Sequence, residues 1–250
     1  MQDHLNRQRR AMLGIGLTAI APSLALAARP SLTLATGALP PLTSALGHTG
    51  FLDALAREVF GRIGFDATVV RLPVERALIN ANAGIEDGDM FRAPGFEKEY
   101  PNLLPIPEKL LDYDFVAYAT RADVEVRDWS DLARYSVGYV IGYKIFERNV
   151  KAARDITTVR GIDQLFPLLA NGRADVVLLD RWQGLWLARE AGLAVRALDP
   201  PLARVPMFAY LHRRHEALVA PAAAALAEVK RDGTWQRFYD QILKPLETAR

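Results

Sequence analysis

Apolar and polar positions change period repeatedly along this chain. Ser31 to Thr36 (SLTLAT) alternates and predicts a short strand. A loop rich in Gly, Pro and Thr follows, from Gly37 to Gly50. Phe51, Leu55, Val59 and Ile63 then recur every four residues, one face of a helix that Gly64 ends. Ala67 to Leu72 reads as a strand, and Pro73 suits the first position of a helix running to Asn82. Gly84 stops that helix, and Asp87 to Phe91 predicts another short strand. The result is a β-α-β-α-β unit.

A second unit has the same rhythm. Ser136 to Ile141 and Ile156 to Val159 are strand-like, with a helix from Tyr143 to Ala152 between them. Ile162, Leu165, Phe166 and Leu169 mark a helix closed by Gly172. Asp175 to Leu179 (DVVLL) has the continuous apolar run of a buried strand, and Asp180 to Ala191 is helical again. Ala-Asn-Ala-Gly84 and Ala-Asn-Gly172 each close a helix just before an acidic residue opens a strand, which agrees with two similar lobes. Two aromatic, aliphatic stretches, Tyr113 to Thr120 and Val205 to His212, predict strands that cross between the lobes. The chain ends in a helix from Ala217 to Arg231 and a shorter one from Thr234 to Leu243.

The N-terminus is organised differently. Arg7, Arg9 and Arg10 precede an apolar run from Met12 to Ala21, then Pro22 and Ala25-Leu-Ala27. The run is too short for a spanning helix, and the small residues suit a signal peptidase, so residues 1–27 predict a signal peptide cleaved before Ala28. An N-terminal anchor is the competing reading. Arg9-Arg10-Ala-Met-Leu13 also resembles a twin-arginine export signal.

Charge follows the same division. The whole chain has 31 Lys+Arg, 29 Asp+Glu and a net charge of +2. Residues 1–27 hold three of the basic residues and Asp3 as the one acidic residue, which leaves 28 of each sign in the rest. The exported chain is formally neutral, so a nucleic-acid partner has no electrostatic support. There is no Cys, which excludes zinc–thiolate sites, iron–sulfur clusters, thiol nucleophiles and a lipid-modified N-terminal Cys. No cofactor is expected.

The order and spacing of several short motifs carry a family resemblance. They are Leu72-Pro-Val-Glu-Arg76-Ala, Gly84-Ile-Glu-Asp87-Gly88, Trp129-Ser-Asp-Leu132 before Val137-Gly138-Tyr-Val-Ile-Gly142, Leu169-Ala-Asn-Gly172-Arg-Ala-Asp175 and Asp232-Gly-Thr-Trp235. Over residues 31–245 the chain resembles the type II periplasmic solute-binding proteins, in particular extracellular solute-binding family 3. The resemblance implies an α/β fold of two Rossmann-like lobes joined by two crossover strands. Residues 28–115 and 211–250 would form lobe 1, and residues 116–210 lobe 2. It further implies a periplasmic protein that holds a small polar solute, amino-acid-like or an organic acid and so anionic or zwitterionic, in the interlobe cleft, closes by a hinge, and as a monomer delivers it to an ABC-transporter permease. A membrane sensor domain is the other partner such a receptor could serve.

Ligands of open α/β sheets sit beyond the carboxyl ends of strands, and that selects the candidate residues. Thr36 opens the first loop, which is either a ligand loop or a plain surface loop. Arg76 stands in a first helical turn, where a cation is disfavoured, so either an anionic ligand or a partner such as Glu75 or Asp87 should hold it. Asp89, Phe91 and Arg92 follow at the next strand end, and a guanidinium suits bidentate contact with a carboxylate or phosphate. Tyr143 and Lys144 replace the small hydroxyl residues usual in the family, and offer a stacking or charged contact or simply face solvent. Asp180 falls where amino-acid-binding relatives hold the ligand ammonium, but it is also a good helix cap. Trp182 either walls the cleft or packs.

One departure bears on the ligand. The relatives carry an Arg that forks the ligand carboxylate at the start of the crossover strand, and here that position is near Asp114 or Phe115. Signatures of catalysis, GxSxG, HExxH and the phosphate loop, are absent from the sequence. The expectation is therefore a binding protein rather than an enzyme. A cleft lyase of small carboxylic acids on the same scaffold, using groups such as Asp180, Lys144 and His48, is the alternative.

Overall fold

The computed structural model describes residues 28–44 and 47–247. The signal peptide expected at residues 1–27 lies outside the described residues.

The first half runs β1 (Ser31–Thr36), α1 (Phe51–Arg62), β2 (Asp66–Arg71), α2 (Val74–Ala83), β3 (Gly88–Arg92), β4 (Leu103–Pro105) and β5 (Leu111–Ala119). The second runs β6 (Ser136–Val140), α3 (Lys144–Asn149), β7 (Asp155–Val159), α4 (Leu165–Ala170), β8 (Val176–Asp180), α5 (Arg181–Glu190) and β9 (Arg196–Ala197). The chain then returns through β10 (Ala203–His212) to α6 (Glu216–Arg231), α7 (Thr234–Phe238), a π-helical turn over Tyr239–Leu243 and α8 (Lys244–Glu247).

The strand order is β2-β1-β3-β10-β5-β8-β6-β7, with β4 added to β10 and β9 to β5. Each half is a parallel triad. β1 lies between β2 and β3, and β6 lies between β7 and β8. The antiparallel strands β5 and β10 join the triads. Met207 to Ala203 of β10 pair with Leu111 to Phe115 of β5. Beyond that stretch β10 continues along β3, and β5 continues along β8. The two predicted crossover strands are thus present and pair with each other.

The structure differs from the sequence reading in four places. The helix expected over Tyr143 to Ala152 is α3, which ends at Asn149. The helix expected from Ile162 opens as a tight 3-10 turn before α4. The strand expected to end at Leu179 takes in Asp180, which also caps α5 through Oδ1 and the Gln183 N–H (2.9 Å). β4 and β9 were not expected, because three and two residues show no alternation.

Burial follows the two halves. Leu34, Leu52, Phe60, Leu226 and Val229 belong to one cluster under α1 and α6. The sheet of the second half carries a core on each face, one around Phe146 and Val176, the other around Leu165 and Leu179. Among the described residues no helix is long and apolar enough to cross a membrane.

Gly88 illustrates how tightly the strands meet. A Cβ there would stand 2.1 Å from the Tyr210 carbonyl oxygen and 3.0 Å from Leu211 Cα. Both neighbours are backbone, so β3 and β10 would have to part. Gly88→Ala is expected to cost about 1–3 kcal/mol of stability. A urea titration should show a lower midpoint with an unchanged slope.

Candidate functional site

The carboxyl ends of the parallel strands β3, β6 and β8 meet an aromatic row that runs between the halves. Phe91 at the end of β3 meets Tyr113 of β5 edge-to-face, with ring centroids 5.1 Å apart. Tyr113 meets Phe115 at 5.2 Å, and Phe115 meets Phe146 of α3 at 5.6 Å. Tyr143, in the turn after β6, stacks on Phe146 at 5.6 Å. Tyr113 and Phe115 share a face because side chains alternate along a strand.

Asp180 lies beside this row and is fully buried. Its Oδ1 caps α5, while its Oδ2 has no hydrogen-bond partner among the described residues. The Gln183 amide donates through Nε2 to the Tyr113 hydroxyl at 2.5 Å, and its Oε1 is likewise buried without a partner. The start of α5 is held from beneath. The Tyr118 hydroxyl donates toward the carbonyls of Asp180 (3.1 Å) and Arg181 (2.7 Å). That approach needs Gly184, where a Cβ would stand 2.3 Å from the Tyr118 ring.

Burial pushes the Asp180 carboxyl up to about 7, against relief from the Gln183 N–H, the adjacent Tyr113 hydroxyl and the Trp182 N–H. Burial likewise raises the Tyr113 and Tyr143 hydroxyls, and the nearby Asp180 charge adds to it. These phenols stay neutral and can serve only as hydrogen-bonding or ring surfaces.

Asp89 and Arg92 bind each other. Arg92 donates from Nε (3.0 Å) and Nη2 (2.9 Å) to Asp89 Oδ2, and from Nη2 to the Val74 carbonyl (2.8 Å). Asp89 is fully buried, and burial raises its carboxyl against the pull of Arg92. Lys144 is paired too. Its ammonium donates to Glu147 Oε2 at 2.6 Å, while Glu147 Oε1 accepts the Gly142 N–H at 2.8 Å. Thr36 is buried, and its hydroxyl accepts the Ala38 N–H at 3.1 Å. Arg76 is exposed on α2, and no ion pair to it is found among the described residues. The partners suggested for it are engaged: Glu75 accepts from Tyr100, and Asp87 binds Arg214 and His215.

Trp182 takes the packing alternative. It is buried in the core of the first half and meets Tyr239 edge-to-face at 5.6 Å. It lines a cavity of about 410 Å³ together with Asp114, Arg181, Trp235 and Tyr239. Asp114 points away from Tyr113 and Phe115, as strand alternation requires. It accepts Arg204 Nε at 2.6 Å and Nη2 at 2.9 Å, across the β5–β10 pair. No group of His, Asp and Glu among the described residues could hold a metal ion.

The structure therefore brings Phe91, Tyr143 and Asp180 to one row, and ties Arg92 and Lys144 to carboxylates of the chain. Sequence reasoning missed Tyr113, Gln183 and Glu147. Each carried a faint signal: Tyr113 shares strand parity with Phe115, Gln183 stands three residues after the cap, and Glu147 follows Lys144 at helical spacing.

Two outcomes follow from this geometry. Arg92→Ala would leave a buried carboxylate without its counter-ion and is expected to cost about 3–5 kcal/mol, measured by urea unfolding at neutral pH. Burial raises the folded-state carboxyl of Asp180 to about 7 from the ordinary 3.8, so between those values the folded state keeps a proton that the unfolded chain releases. Its contribution is intact at low pH and is lost as pH rises between those values, by about 1.4 kcal/mol per pH unit. Asp180→Asn keeps the cap oxygen and should flatten the fall in unfolding free energy between pH 5 and about 7.

No family model matches the chain. A protein of Shewanella oneidensis described as uncharacterized is 21% identical over 242 residues, 91% of this chain and 89% of its own length. Among solved structures, the probable amino-acid ABC transporter extracellular-binding protein ytmK of Bacillus subtilis superposes with a TM-score of 0.73 at 17% identity, over 86% of this chain and 98% of that one. A variant of ArgBP from T. maritima gives 0.66 at 17% identity, over 86% and 95%. A histidine kinase sensor domain with similarity to periplasmic binding proteins gives 0.68 at 16%, over 86% and 97%. With its parallel triads joined by β5 and β10, the chain has the two-lobed α/β fold of the type II periplasmic binding proteins.

Proposed function

We propose that this chain is a periplasmic solute-binding protein that captures a small polar solute between its lobes and presents the closed form to an ABC permease. Residues 1–27 would export it, and the mature chain from Ala28 would act as a monomer. Lobe 1 would comprise residues 28–115 and 211–250 and lobe 2 residues 116–210, turning about β5 and β10. The observation that carries the reading is Asp180. A fully buried carboxyl with one oxygen unpartnered, where the aromatic row joins the halves, is costly unless something else completes it. The proteins of like fold are ligand-binding proteins, and the cleft is read as binding without turnover.

A second reading keeps the same cleft and changes the partner. The likeness to a histidine kinase sensor domain favours a receptor whose closed form signals to a membrane protein.

The test is a thermal-shift screen of amino acids, organic acids and amines. A bound member at about a hundred times its Kd should raise stability by about 2.7 kcal/mol, and Asp180→Asn should lose that shift. A screen in which no class shifts the parent protein would count against the reading.

A further inference from the structure

The groups around the aromatic row differ in what they still lack. Among the described residues, Arg92 and Lys144 beside it are each already paired with a carboxylate of the chain. Arg92 spends Nε and Nη2 on Asp89 and on the Val74 carbonyl. At the turn after β6, Glu147 takes both the Gly142 N–H and the Lys144 ammonium. A ligand carboxylate arriving at either place meets an anion already seated there. Arg204 and Arg181 lie on the far face of the hinge with Asp114 and Asp199. Arg76 remains, but it is exposed, where salt and water screen its attraction.

The acceptors are in the opposite condition. Asp180 Oδ2 and Gln183 Oε1 are buried and unpartnered, and both side chains flank the Tyr113 hydroxyl. An ammonium offers three N–H donors and no acceptor, so two of them complete such a pair and the third is left for a further acceptor such as the Tyr113 hydroxyl oxygen. Phe91, Tyr113 and Tyr143 add ring surface, which favours a cation over an anion.

We propose that the cleft selects a primary amine lacking an α-carboxylate, with its ammonium donating to Asp180 Oδ2 and Gln183 Oε1. This rests on the reading of the cleft as a solute site and narrows it to one chemical class. An α-amino acid presents the same ammonium but brings a carboxylate that Asp89 and Glu147 already replace. Discrimination therefore comes from the chain's own carboxylates as much as from Asp180.

Calorimetric titration of residues 28–250 with matched pairs tests this: agmatine against arginine, cadaverine against lysine, and tyramine against tyrosine. In at least one pair the amine should bind about tenfold tighter or better than its amino acid. Asp180→Asn should weaken that amine by about a hundredfold, and Gln183→Leu by severalfold, with the ligand-free melting of each variant checked to confirm the fold. Glu147→Ala vacates the Gly142 N–H and the Lys144 ammonium, and should narrow the gap by strengthening the amino acid. Amino acids that bind as tightly as their amines, or an Asp180→Asn protein that binds the amine like the parent, overturn the inference while leaving the solute-cleft reading intact. Binding of neither member in any pair overturns the inference, and the solute-cleft reading then stands or falls by the wider thermal-shift screen.

Discussion

The antiparallel pairing of Leu111–Phe115 with Ala203–Met207 is the constraint on which the rest of the molecule depends. These five residue pairs are where the two parallel triads are stitched into one sheet path. The pairing also fixes which side chains face which way. Parity sends Tyr113 and Phe115 to the aromatic row, and it sends Asp114 to the other face, where its register partner Arg204 binds it. A slip of one residue would exchange those faces, putting a carboxylate into the row and two aromatic rings beside an arginine. The Asp114–Arg204 pair therefore acts less as a source of stability than as a lock on register. Arg204 is largely exposed, and such a pair contributes little energy of its own.

The site inherits its geometry from that register. Tyr113 can receive the Gln183 amide only because β8 pairs with β5 from Phe115 onward: Asp180 lies opposite Phe115, and the first turn of α5 then passes beside Tyr113, two residues earlier on β5. Tyr118, further along β5, reaches beneath α5 through the gap that Gly184 leaves. One strand thus positions both the start of α5 and the ring it faces. The first half contributes Phe91, whose place at the end of β3 is fixed by β10 against Gly88.

Much of this was legible in the sequence. Alternation and four-residue spacing identified the long elements, because each buries one face and the period survives in the residue types. The crossover strands were legible because both are aromatic and aliphatic over most of their length. Pairings among charged residues were not legible. Arg92 with Asp89 and Lys144 with Glu147 lie close in sequence, but nothing in composition says whether a cation turns to its neighbour or to a ligand. Asp87 showed the same limit. Its partners Arg214 and His215 come from the far end of the chain, across β10.

The two oxygens of Asp180 stand in different conditions, so capping a helix does not exclude the proposed ligand contact. Oδ1 accepts the Gln183 N–H and holds α5, and Oδ2 is left without a partner. A helix N-terminus favours a negative charge, yet burial outweighs that help and keeps the carboxyl near 7. Burial thus favours its neutral form, and a nearby positive charge would favour the ionised one. On the proposed reading, a cation at Oδ2 would supply a counter-charge, so binding and proton release would be linked at this one atom. Serine at this position would cap the helix adequately but has no second oxygen to offer; on the proposed reading, that second oxygen is what a carboxylate adds here.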